Sequence, residues 1–215
     1  MPRPIRIDFV SDISCPWCII GLRGLKIALE RMGDTVAAEI HFQPFELNPA
    51  MAPEGENIVE HIGRKYGATP EQSAANRATI RERAAAVGFT MAMGDTSRIY
   101  NSFDAHRLLH WAAIEGRQAA LKHALFDSYF TRGEDISDHD VLLAAAVRAD
   151  LSEDDARAIL TSDRYSAEVR EAERLWQGRG IQSVPAIVID NRYLISGGQP
   201  PEAFEQALRQ IAAEA

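Results

Sequence analysis

Cysteine is scarce in this chain: two residues among 215. That scarcity excludes a disulfide-built framework. It also argues against a structural zinc site, since there is no second Cys-x-x-Cys pair and only six histidines could add ligands. Basic residues are in the minority, 23 Lys and Arg against 31 Asp and Glu for a net charge of −8. No basic cluster stands out, so nucleic acid is not an expected partner. No apolar run approaches the roughly 20 residues of a membrane-crossing helix, and no membrane partner is expected. The opening residues Met1-Pro2-Arg3-Pro4 hold no apolar signal segment and no cleavage site. The expected location is the cytoplasm, where disulfides are mostly transient and catalytic. With 46% hydrophobic and 25% charged residues, the composition is that of a soluble globular protein with one large domain, or one domain carrying a sizeable insertion.

The two cysteines that are present lie three apart, in Cys15-Pro16-Trp17-Cys18. Ile5-Arg6-Ile7-Asp8 alternates apolar and polar before Phe9-Val10, which predicts a strand. Ile19 to Met32 is apolar at Ile19, Ile20, Leu22, Leu25, Ile27, Ala28 and Leu29, which predicts a helix. The pair therefore falls where a strand turns into a helix. The first amides of a helix lack internal partners and carry partial positive charge. A sulfur there is stabilised as the thiolate, the form that attacks disulfides. Cys15 is expected at the cap position and Pro16 in the first turn, where its missing N–H costs nothing. Cys18 falls one turn in, within reach of Cys15. We assign Cys15 as nucleophile and Cys18 as its disulfide partner. Half of a zinc site, a structural staple and a chance pair of inert thiols are the competing readings. A staple across so short a loop would restrict the unfolded chain little, and the strand-then-helix context favours redox chemistry.

Residues 37–45 read as a second strand, with Ile40, Phe42 and Phe45 available to the core and Pro44 ending regular pairing. Leu47 to Gly55 is rich in Pro and Gly and reads as a loop and a domain boundary. From about Asn57 to Gly180 the pattern is helical almost throughout. Thr69-Pro70-Glu71-Gln72 is a capping box opening a helix that Gly88 stops. Helices over 101–113, from 118 to Tyr129 or Phe130, and over 166–177 follow. Ser137 and Ser152 are expected to cap helices over 138–148 and 153–160. Strand pattern returns at Ala186-Ile187-Val188-Ile189-Asp190 and at Tyr193–Ser196, joined by Asn191-Arg192 as a hairpin. Pro200-Pro201 opens a final helix from Glu202. The order β-α-β, helical block, β-β-α predicts an α/β fold. Residues 1–55 and 181–215 would form one discontinuous domain, and 56–180 an inserted helical domain that caps one end of the sheet. The first unit is expected to be a parallel pair, with the hairpin extending the sheet on its other side.

The Cys15-Pro16-Trp17-Cys18 site in this setting, the long helical insertion, and Ser183-Val184-Pro185 before the hairpin resemble DsbA-like thiol–disulfide oxidoreductases. Ser11 to Gly21, Asn101 to Leu108 and Ser196 to Pro200 are most similar to the FrnE-like cytoplasmic branch. The resemblance implies a thioredoxin-like βαβ…ββα fold with a large all-helical insertion. It implies thiol or disulfide substrates, either protein or a small thiol, with glutathione as a candidate co-substrate. No cofactor is expected beyond the Cys15–Cys18 disulfide. It further implies that the Val184-Pro185 peptide is cis and lies against the reactive pair, which makes Pro185 a third functional residue. Taken alone, Pro185 would read as an ordinary trans proline starting a strand. Val184 keeps an N–H and a C=O that could pair with an extended substrate segment.

Other candidates are less defined. Asp12 could move a proton to or from Cys18, or merely cap local amides. Trp17, beside Pro16, could shield the sulfurs or contact substrate. His106 and His110 share a helix face, but a metal pair there lacks a third ligand and no metal is expected. His106 could instead face the active site, as the Asn101, His106 and Arg107 cluster of the resemblance suggests; the plain alternative is a core or solvated histidine. Asn48, with Phe45, Leu47 and Pro49, could line a groove between sheet and cap or simply pack. Gly197-Gly198 reads as turn chemistry. A second functional class is a glutathione-dependent isomerase or transferase, like 2-hydroxychromene-2-carboxylate isomerases and kappa-class glutathione transferases, which share the fold and its insertion. Those relatives carry Ser in the place of Cys15, lack the second cysteine, and have an acidic residue where this chain has Pro200. A binding or chaperoning fold with a vestigial pair is a third option, and the intact pair argues against it. Substrate, redox direction and oligomeric state are not legible.

Overall fold

The computed structural model describes residues 4–214. The first half of the sheet is β1 (Ile5–Ser11), α1 (Pro16–Met32) and β2 (Ala38–Pro44). A helical segment follows. It holds α2 (Ile58–Tyr66), α3 (Pro70–Ala86), α4 (Phe103–Ile114), α5 (Gln118–Phe126), α6 (His139–Arg148), α7 (Glu153–Leu160) and α8 (Ser166–Gly178), with two short paired strands, β3 (Glu56–Asn57) and β4 (Arg98–Ile99), at its start. The chain then returns as β5 (Ala186–Ile189), β6 (Tyr193–Ser196) and α9 (Pro201–Glu214).

The main sheet has the order β2-β1-β5-β6. β1 runs parallel to β2 and antiparallel to β5. A central strand covered on both faces needs a nearly continuous apolar run, and Ile7, Phe9 and Val10 are fully buried. Alternation sends Phe9 to one face, where it meets Phe42 of β2 with ring centres 5.9 Å apart. α1 and α9 cover that face together, through Cys18, Leu22, Leu25, Phe204 and Leu208. Val10 points the other way, into a smaller cluster with Phe45, Trp176, Ile181 and Ala186. The free edge of β2 is closed by a side chain: the Gln118 amide accepts from Phe42 N–H and donates to Phe42 C=O, both at 3.0 Å. That pairing imitates a further strand and blunts the edge.

The expected order of elements and the thioredoxin-like architecture are both present. Local differences have local causes. Asp138, not Ser137, caps α6 by accepting from Asp140 N–H, because Ser137 is held by Asp135. The hairpin loop is 190–192; Asp190 and Asn191 both adopt positive φ, so Asp190 leaves the strand. α5 stops at Phe126 and continues as a π-helical turn through Thr131. β3 and β4 are two residues each, too short to leave a period in the sequence. The inserted helices pack along α1 and β2, with α3 on the former and α8 on the latter.

Glycine sets how closely the C-terminal half approaches α1. A Cβ on Gly198 would stand 2.7 Å from the Trp17 carbonyl, and one on Gly21 would stand 3.3 Å from the Pro185 ring. Gly198→Ala should therefore push the 197–199 loop off the start of α1, at a cost of ~1–3 kcal/mol. Urea unfolding of the variant measures it; wild-type stability would show that the loop moves freely.

Candidate functional site

Cys15 is the N-cap of α1, with φ −92° and ψ 113°, and Pro16 follows at the first helical position. The turn closes through Cys18 N–H donating to Cys15 C=O at 3.1 Å. Both cysteines are free thiols. Cys15 retains 4% exposure and Cys18 none, so an incoming molecule meets Cys15 first. The Cys15 thiol donates to the Val184 carbonyl at 3.6 Å. The Val184-Pro185 peptide is cis, as the resemblance implied. Burial pushes the Cys18 thiol up; the hydrogen bond and charge of Cys15 push it further, and Lys122 opposes them.

Asp12 lies fully buried beneath this turn. Its carboxylate accepts from Ser14 N–H at 3.2 Å, Ser14 Oγ at 2.9 Å and Leu47 N–H at 2.7 Å. His106 Nε2 stands 3.7 Å away, beyond hydrogen-bond distance. Burial alone would raise the carboxyl, but His106 and the Leu47 and Ser102 donors overcome it and hold Asp12 at about 2. Asp12 is therefore an ionised acceptor at neutral pH, poorly suited to collect a proton from Cys18. Of its two expected roles, this geometry supports the capping of local amides.

The remaining candidates divide. Trp17 is partly buried against the core and stacks beside Gly198. Asn101 accepts from Phe103 N–H at 2.9 Å and so shapes the start of α4. Asn48 accepts from Lys65 Nζ at 2.7 Å and faces a separate cavity with Pro49, Met51 and His61. Arg107 is turned away, tied to Asp104 and to the carbonyls of Ile159 and Arg164. His110 stacks with Tyr165, ring centres 5.1 Å apart. Among the described residues no three His, Cys, Asp or Glu side chains cluster as metal ligands. No helix among them is long and apolar enough to cross a membrane.

Lys122 of α5 was not singled out from the sequence. It is buried, and its charge acts on Cys18, Asp12 and Cys15. The available signal was its place on the inward stripe of α5, four residues before Phe126. Glu46, buried and ion-paired with Arg170, gave no signal at all.

Fold and site together define a thioredoxin-like protein whose sheet is interrupted by a helical segment. The chain belongs to the family described as the DSBA-like thioredoxin domain, whose model matches residues 6–209. It is similar to a probable DsbA oxidoreductase from Streptomyces coelicolor, with 34% identity over 98% of this chain and 91% of that one, at a TM-score of 0.91. The cytosolic disulfide reductase DsbM from Pseudomonas aeruginosa, solved with GSH, is 16% identical over 95% of this chain and 98% of that one, at a TM-score of 0.64. A 2-hydroxychromene-2-carboxylate isomerase is 13% identical over 97% of each chain, at a TM-score of 0.71. Among curated proteins none matches the sequence.

A displacement of the Asp12 carboxyl from 3.8 to about 2 corresponds to on the order of 2 kcal/mol of stability at neutral pH. Because the folded value is depressed, that stability is complete above 3.8 and is lost as pH falls through about 2. Asp12→Asn would set an amide donor against donors. We expect it to lower stability by roughly this amount at neutral pH and to flatten the acid limb of urea-derived stability against pH. An unchanged acid limb would mean that Asp12 contributes no such linkage.

Proposed function

We propose that this chain exchanges disulfides through Cys15 and Cys18, with Cys15 as the sulfur that substrates meet. The observation that supports the reading best is the cap position of Cys15, beside the Val184 carbonyl and above a fully buried Cys18. In the oxidising direction a substrate thiolate attacks Cys15 of the disulfide. The S–S bond between the cysteines breaks, a mixed disulfide forms on Cys15, and Cys18 leaves as thiolate. In the reducing direction the Cys15 thiolate attacks a substrate disulfide, and Cys18 then displaces the second substrate thiol and closes the internal disulfide. No cofactor is needed for either. Val184 offers backbone groups beside the sulfur to which an extended substrate segment can pair, and Trp17 forms part of the surround.

The substrates we infer are protein or small thiols. Glutathione is a reasonable small thiol, given the structural likeness to a reductase solved with GSH. A cytoplasmic location fits the sparse cysteine content. The glutathione-dependent isomerase alternative rests on likeness of fold at 13% identity, and no feature of the site favours it.

The roles of the two cysteines are separable. Cys15→Ser should abolish exchange with oxidised glutathione, and Cys18→Ser should accumulate a mixed disulfide on Cys15, read by intact-protein mass spectrometry. Trapping through Cys18 in the Cys15→Ser variant would reverse the assignment.

A further inference from the structure

Lys122 is the buried group that the proposed exchange leaves without a task. It is 1% exposed. Its Nζ lies 5.0 Å from the ring centre of Phe126 and 5.9 Å from that of Phe42. Among the described residues no carboxylate, carbonyl or hydroxyl pairs with it. An ammonium buried without an anion is costly, and an apolar side chain of the same length would fill the space without that cost.

Its position points to Cys18. Cys18, Leu22 and Lys26 occupy one face of α1, and Lys26 Nζ is bonded to His123 Nε2 on α5. α5 therefore runs along the Cys18 face, and Lys122 is close enough for its charge to act on the Cys18 thiol. On its other side Lys122 lines a cavity of about 370 Å³, together with His41, His106, His110 and Gln118. That volume holds several waters, and its lining includes the exposed Ile114.

We propose that Lys122 is the proton partner of Cys18, with the cavity linking it to solvent. The proposal rests on the disulfide-exchange reading above. When the internal disulfide opens, Cys18 departs as a thiolate; the Lys122 ammonium gives it a proton, becomes a neutral amine, and recovers a proton from cavity water. When Cys18 resolves a mixed disulfide, the Lys122 amine takes the thiol proton. The Cys15–Cys18 bond forms, the bond from Cys15 to the substrate sulfur breaks, and the substrate leaves as thiolate.

The titratable groups that face Lys122 are Cys18 and Cys15 at the start of α1, Asp12 in the preceding turn, His106 and His110 on α4, His41 on β2, and its neighbour His123. Burial draws Lys122 down to about 8, against the upward pull of Cys18, Asp12 and Cys15. Both of its forms are thus accessible near neutral pH, which an ordinary lysine at ~10.4 does not offer. Asp12, held at about 2, cannot serve in this way.

The test is Lys122→Met in the full chain, which replaces a buried charge by an apolar side chain of similar length. The reduced protein is mixed with oxidised glutathione, and the resolution of the mixed disulfide by Cys18 is followed by stopped-flow fluorescence across pH. The wild type should show an inflection near pH 8. Lys122→Met should lose it and resolve about 100-fold more slowly at neutral pH, at the low end of general acid–base contributions. A folded variant with the wild-type rate and profile overturns the proposal. If the variant does not fold, the wild type decides by NMR titration of its lysine side-chain nitrogens: Lys122 should titrate near 8 and shift between the disulfide and dithiol forms. Titration at the ordinary lysine value in both forms overturns it as well. A wild type inert toward oxidised glutathione, with no mixed disulfide in Cys18→Ser, would sink the exchange reading itself and the proposal with it. An active wild type with an unaltered Lys122→Met sinks the proposal alone.

Discussion

One buried anion, the carboxylate of Asp12, ties together three parts of the chain that meet nowhere else. It accepts from Ser14 in the turn between β1 and α1 and from Leu47 in the loop after β2, and it faces His106 on α4. A carboxylate removed from water is tolerated only when donors surround it, so each of these segments must arrive for the others to be stable. The same turn fixes Cys15, whose N–H donates to the Asp12 carbonyl at 3.4 Å. The location of the nucleophilic sulfur is thus inherited from the need to satisfy an acid three residues earlier.

The loop after β2 is held twice. Leu47 is anchored on Asp12, while Glu46 beside it is anchored on Arg170 of α8, which also pairs with Glu173 and lies 3.7 Å over the ring of Phe103. Burial and the nearby Glu173 push the Glu46 carboxyl up, against Arg170. Two buried acids sharing one guanidinium bind α8 to the sheet more specifically than apolar packing would, because their alternatives leave a charge uncompensated. Beyond this point the chain turns outward, and Asn48 and Lys65 pair at the surface cavity away from the sulfurs.

The frame of the protein was legible in the sequence because it depends on local signals. Strand alternation, a proline after the first cysteine, a capping box at Thr69 and paired prolines before α9 each act within a few residues. What was not legible depends on long-range placement. Lys122 reads as a surface lysine whose stem lies over apolar neighbours, and only the approach of α5 to α1 makes it a buried charge. Asn101, His106 and Arg107 looked alike as a cluster. The helix then separates them, turning His106 toward Asp12 and Arg107 toward the carbonyls of 159–164. Asn48 likewise belongs to a polar contact with Lys65, set by the fold of α2. Asp138 displaces Ser137 as a cap because Asp135, two residues earlier, already holds the serine.

The two sulfurs are therefore governed by different parts of the molecule. Cys15 answers to backbone: the end of a helix, the carbonyl of Val184 and the turn closed by Asp12, all fixed by the sheet and its loops. Cys18 answers to charge and burial, and the charge that opposes its burial comes from Lys122, on a helix of the inserted segment. The insertion enters and leaves between β2 and β5, so its helices can change without altering strand register. A substitution among α4 and α5 can then retune the buried sulfur while the attacking one keeps its geometry. In a fold whose sheet end already supplies the nucleophile, the interrupting helices do more than cover the site. They supply the electrostatic environment in which the second cysteine gains and loses its proton.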